Sequence, residues 1–168
     1  MVLGMRPQPD RPDAASGMIR SWHPYEAAPE DHEFLQELAE VVRYPTTALG
    51  PTKAELEVRV AELRSLLKAA QRGELRNRQW DVVRRHPDLW ELRWAWHPKA
   101  QVRLYFHEPR RRPGQTVAAH VHVKTIVPND PTATTARQDA HMDLAHGRIV
   151  QGQVDDWGLR WSTPLIPE

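Results

Sequence analysis

The 168-residue chain contains no cysteine, which excludes a disulfide scaffold and any thiolate-ligated zinc. No apolar run approaches the roughly 20 residues that a membrane-spanning helix needs. The first 15 residues hold Arg6, Asp10, Arg11 and Asp13 with no apolar stretch, so they do not read as a secretion signal. A cytoplasmic protein is expected. Internal repeats, a glycine-rich phosphate loop, HExxH and G-x-S-x-G are also missing from the sequence, and the common enzyme classes they mark have no support.

The net charge of +1 conceals a segregation along the chain. Residues 72–124 carry 12 basic and 5 acidic side chains, a local +7, between two flanking segments of −3 each. Such a block points to a polyanionic partner, nucleic acid first. The length suits one domain with a real core.

Residues 1–16, rich in Pro and Asp, read as a disordered lead-in. A weak alternation over 18–25 predicts a first strand. Asp31 can cap a helix over 31–43, with Phe34, Leu35, Leu38, Val41 and Val42 at helical spacing and Glu33, Glu37 and Glu40 outside. Thr52-Lys53-Ala54-Glu55 is a capping box that opens a second helix, with Leu56, Val60, Leu63, Leu67 and Ala70 as its stripe and Gly73 as its stop. The two form an αα-hairpin whose apolar stripes need a partner. A basic connector follows, in which Trp80, Val82 and Val83 can add a short edge strand.

Three strands with period-2 alternation then supply that partner. Trp90, Leu92, Trp94 and Trp96, then Val102, Leu104 and Phe106, then Val117, Ala119, Val121 and Val123 form the core-facing rows. The opposite face carries Glu91, Arg93, Arg103, Tyr105, His107, His120, His122 and Lys124. Short connections favour an antiparallel meander. Asp130-Pro131 starts a last helix, expected to end before Gly147 with Ala136, Ala140 and Leu144 inside. In the tail over 151–168, Trp157 and Trp161 either pack on the body or serve a partner. The expected fold is α+β: an antiparallel curved sheet with an αα-hairpin on one face, a C-terminal helix, and a basic concave site on the other face.

This order resembles the RelE/ParE superfamily of bacterial toxins, in its RelE/HigB-like branch. The resemblance rests on Leu89-Trp90-Glu91-Leu92-Arg93, on Val102-Arg103-Leu104-Tyr105-Phe106, and on Val121-His122-Val123-Lys124-Thr125 followed by Pro131 and a helix. It covers residues 17–150. It implies a type II toxin that cleaves messenger RNA on the ribosome by metal-independent 2′-OH attack, held off by a cognate antitoxin of helix-turn-helix type. No cofactor or membrane is implied.

Such chemistry needs cations around the phosphorane, a base for the 2′-OH and an acid for the leaving oxygen. The resemblance assigns Arg93 and Arg103 to phosphate charge with Lys124 beside them, and His120 and His122, two apart on one strand and so on the same face, offer a base. Tyr105 can stack on a base or donate a proton. Arg84, Arg85, Arg137 and His141 are the expected RNA contacts. A metal site on His120, His122 and either His141 or His107 lacks a carboxylate at a completing spacing. The rival reading keeps the fold and drops the chemistry, leaving a protein that binds gyrase, RNA or a protein partner.

Overall fold

The computed structural model describes Pro12 and residues 20–166. The expected lead-in over 1–16 lies outside the described residues except for Pro12. The chain is α+β, with β1 (Ser21–Pro24), α1 (Glu33–Val42), α2 (Lys53–Gln71), β2 (Trp80–Val82), β3 (Trp90–His97), β4 (Ala100–His107), β5 (Gln115–Val123) and α3 (Pro131–Gly152). The strands form one sheet in the order β1-β5-β4-β3-β2. Strands β2 to β5 run antiparallel to their neighbours. β1 joins β5 in parallel, so the sheet is mixed rather than wholly antiparallel. That direction follows from the α1–α2 crossover that carries the chain away from β1.

Local chemistry fixes the helices. Asp31 Oδ1 accepts from the Glu33 backbone N–H at 3.0 Å, and Thr52 and Glu55 complete the capping box of α2. α1 has no basic residue in its last turn, and Arg59 of α2 serves its carbonyl end instead. Arg59 donates to Val42 O at 2.9 Å and Tyr44 O at 2.8 Å, while its guanidinium sits 5.2 Å from the Trp96 ring. One side chain thus ties α1, α2 and β3 together.

The hairpin packs on one sheet face, as its stripes require. Phe34 and Val41 from α1 and Leu63, Leu67 and Ala70 from α2 meet Leu92, Val102, Leu104, Phe106 and Val121. Trp80, Trp90, Trp94 and Trp96 pack at the margin of this core.

β5 departs from the expected pattern because of a bulge. Tyr105 pairs with His120 and Phe106 with Ala118, which leaves Ala119 as the extra residue. An inserted residue reverses the alternation on one side of it. Val117 and Ala119 therefore join a second core with Tyr25, Tyr105, Ala145, Ile149 and Trp157, while Ala118 joins the first.

α3 departs further, since it runs through Gly147 to Gly152 and lies on the face expected to be open. Its inner residues are Ala145, Arg148, Ile149 and Gly152. The expected stripe of Ala136, Ala140 and Leu144 is exposed. A stripe ranked by hydrophobicity fails here because the inward face is partly polar and is satisfied by ion pairs described below.

The tail packs on the body. After α3 come 3-10 turns over Gln153–Gly158. Trp157 is buried, and its indole N–H donates to Ile149 O at 2.8 Å. The Leu165 N–H donates to Trp22 O at 2.7 Å, and Ile166 enters the first core. Gly158 has φ +81° and would place a Cβ 2.5 Å from Glu26 O. Gly158→Ala is expected to destabilise the fold by about 2 kcal/mol, read as a lower urea midpoint at unchanged slope. Among the described residues, no helix is long and apolar enough to cross a membrane.

Candidate active site

Strand pairing assembles two rows across β3, β4 and β5. Arg93 lies opposite Arg103 and Arg103 opposite His122; Glu91 lies opposite Tyr105 and Tyr105 opposite His120. Directly paired residues on one face stand about 5 Å apart. Lys124, just past the end of β5 and two residues on from His122, flanks the first row, where its backbone N–H donates to Gln101 O at 2.7 Å. The six residues expected to be catalytic are therefore neighbours. Three of them are closed off from solvent beneath α3, while Arg93, Arg103 and Lys124 are partly exposed. Tyr105 is 0% exposed, His120 4% and His122 7%.

α3 brings His141 into the group. Its ring stacks on His122 with centroids 3.7 Å apart and planes within 9°. His141 Nδ1 is 2.8 Å from His120 Nε2, and His120 Nδ1 is 2.8 Å from Glu37 Oε2. Glu37 also accepts from Arg148, at 2.7 Å on Oε1 and 3.1 Å on Oε2. Arg148 completes its fork on Ala119 O at 2.8 Å and Glu33 Oε1 at 2.9 Å. Glu37 and Arg148 are functional candidates that sequence reading misses. Glu37 repeats with Glu33 and Glu40 and reads as outward, whereas its carboxylate turns inward to a histidine 83 positions away. No local signal announces that pairing.

The electrostatics follow from burial and partners. Burial raises the Glu37 pKa, but the hydrogen bonds from His120 and Arg148 outweigh it and hold the carboxyl below its ordinary value. Burial, with His120 beside it, lowers the His141 pKa. Burial also lowers His122, to about 3, helped by His141, His120 and Arg103. Its Nδ1–H donates to Val123 O at 3.1 Å, so Nε2 is a bare acceptor, without a hydrogen-bond partner among the described residues. Burial pushes the Tyr105 hydroxyl up to about 12. At neutral pH the tyrosine is a proton donor, and His122 and His141 are unprotonated.

The arginines share one counter-ion. Glu91, buried on β3, pairs with Arg103 and with Arg93 Nε at 3.0 Å, and Arg93 Nη2 reaches Asp81 Oδ2 at 2.7 Å. Burial lowers the Arg103 pKa. Burial followed by Arg103 and Arg93 lowers that of Lys124. Of the expected RNA contacts, His141 belongs to the cluster. Arg85 is held by α3, with Nε 2.6 Å from Asp143 Oδ1 and Nη1 3.8 Å from Asp139 Oδ2. Arg84 and Arg137 are exposed. His107, expected on the open face, donates to Asp88 O at 2.9 Å and packs on Trp157.

The depressed histidine carries a stability prediction. Between pH 6.5 and about 3 the unfolded chain binds a proton at His122 that the folded chain does not. Stability from this site is complete above 6.5 and declines as the pH falls. Lowering the pH from 7 to 5 is expected to remove about 2 kcal/mol through His122. His122→Phe should flatten that part of the pH dependence in urea titrations.

A cleft of about 650 Å³ lies elsewhere, beside the β4–β5 hairpin, and includes none of the six catalytic candidates in its lining. Among the described residues, no three His, Asp or Glu side chains are arranged to hold a metal ion. Comparison with family models, with curated proteins and with solved structures finds no match to this chain.

Proposed function

We propose that the chain is a type II toxin that cleaves messenger RNA on the ribosome by 2′-OH attack on the adjacent phosphate. The observation that carries this reading is the assembly, on one sheet face, of Arg93, Arg103 and Lys124 with three stacked histidines and Tyr105. The cations match a pentacoordinate phosphorane, whose charge exceeds that of the ground-state diester. Unprotonated imidazoles match the 2′-OH proton. The Lys124 ammonium, its pKa lowered by burial and the two arginines, suits proton delivery to the leaving 5′-oxygen. Partners on this reading are the ribosome, its message and an antitoxin whose acidic residues meet the basic 72–124 segment.

A second reading, binding without cleavage, draws on a different observation. Glu91 and Asp81 already neutralise the two arginines between them, and Tyr105 is fully covered. Induced expression of the wild type in a bacterial host, with mapping of new 5′ ends on translated messages, separates the two. Growth arrest with codon-phased cuts supports the nuclease. Arrest with intact messages supports binding to gyrase or another target, and absence of arrest contradicts the toxin.

A further inference from the structure

The geometry points to a carboxylate–histidine–histidine relay, Glu37–His120–His141, in which His141 Nε2 is the base for the 2′-OH and Glu37 and His120 are positioning residues. This rests on the ribonuclease reading and adds what that reading leaves open. Base action through this pair requires both rings to be neutral, each with one N–H donor and one bare acceptor. Glu37, ionised and already accepting from Arg148, can only accept from His120. His120 Nδ1 therefore carries the proton, and its Nε2 is bare.

The 2.8 Å contact to His141 Nδ1 then needs a proton from His141. His141 Nδ1 is then the donor, and Nε2, on the far side of the ring, keeps its lone pair. Two hydrogen bonds thus transmit the charge of a carboxylate on α1 to the basicity of a nitrogen on α3. The low pKa of His141 keeps that nitrogen unprotonated at neutral pH. His122 cannot take this part as readily, since its bare Nε2 is buried.

In the reaction the 2′-oxygen bonds to phosphorus as its proton passes to His141 Nε2. The bond from phosphorus to the 5′-oxygen breaks with its electron pair, and the Lys124 ammonium protonates that oxygen. The products are a 2′,3′-cyclic phosphate and a 5′-hydroxyl. The imidazolium formed at His141 is stabilised through His120 by Glu37, since its Nδ1 proton can shift toward His120 Nε2. Glu37→Gln reverses the relay. The amide can donate to His120 Nδ1, which makes His120 Nε2 the donor and moves the His141 proton to Nε2, where it blocks base action.

The test pairs ring-nitrogen NMR on the full chain with cleavage of a message on programmed ribosomes. NMR is expected to find His141 protonated on Nδ1 in the wild type and on Nε2 in Glu37→Gln. Cleavage is expected to fall about 10²–10⁴-fold in His141→Ala, with partial recovery on added imidazole, and by about 10²-fold or more in Glu37→Gln. A wild-type His141 protonated on Nε2 overturns the relay whatever the cleavage shows. The expected tautomer with undiminished cleavage in His141→Ala overturns the base assignment and spares the ribonuclease. No cleavage by the wild type, with the expected tautomer, overturns the ribonuclease reading and the catalytic part of this proposal with it.

Discussion

Glu37→Ala lowers the stability of the fold by about 3 kcal/mol, the largest single loss expected here outside the apolar cores. Arg148 is 5% exposed and meets both Glu37 oxygens. Removing the carboxylate leaves a buried guanidinium whose nearest remaining anion is Glu33, itself 64% exposed. Breaking a buried pair by deleting one partner costs about 3–5 kcal/mol, because the other charge stays desolvated. Glu33 and the Ala119 carbonyl keep the loss at the low end. His120 loses its acceptor in the same substitution. The double variant Glu37→Leu, Arg148→Met should recover most of the loss, since it buries no unpaired charge. Urea unfolding of Glu37→Leu, Arg148→Met and the double closes the cycle. If the double variant loses as much as the sum of the singles, the pair is not coupled as described.

On the proposed ribonuclease reading, Arg103→Ala is expected to reduce RNA cleavage by about 10²–10³-fold or more, the scale seen when one preorganised group is removed from a developing negative charge. Arg103 stands between Arg93 and His122 in the row proposed to meet the phosphate. Its guanidinium is 13% exposed, so its field acts in a low dielectric. The fold should survive, with a loss of no more than about 2 kcal/mol, because Glu91 retains Arg93 as a partner. Arg103→Lys keeps the charge but loses the planar fork, and should fall between wild type and alanine in cleavage rate. Unfolding curves measured beside the cleavage rates separate a lost contact from a lost fold.

The sequence makes the framework readable and hides its closure. Thr52 to Glu55 announces α2 through chemistry confined to four residues, and period-2 alternation places Arg93, Arg103, Tyr105, His120 and His122 on one face. Both signals are local. The bulge at Ala119 has no such mark, because an extra residue in Ala118-Ala119 changes neither composition nor propensity. The burial of α3 is hidden for a related reason. Its inward face includes His141 and Arg148, which read as surface residues until Glu37 and His120 are brought to them by the fold. The same long-range pairing, invisible to any spacing rule, turns Glu37 from one of three outward glutamates into the centre of the polar network.

α3 is pinned over this face from both sides. The helix is fastened at its outer side by Arg85 and His86, both on Asp143, and His86 stacks on His146 at 4.0 Å. Inside, it is held by Arg148 and His141. On the proposed ribonuclease reading, the exposed Arg93, 37% open to solvent, marks the side from which RNA is expected to approach.

The most direct test of the central claim uses a message carrying a single 2′-deoxynucleotide at a mapped cleavage position, translated on ribosomes with the purified protein. Attack by the 2′-OH requires that this position stay intact while neighbouring all-ribose sites are cut to 5′-hydroxyl ends. Cleavage at the deoxy position at the ordinary rate would contradict the account.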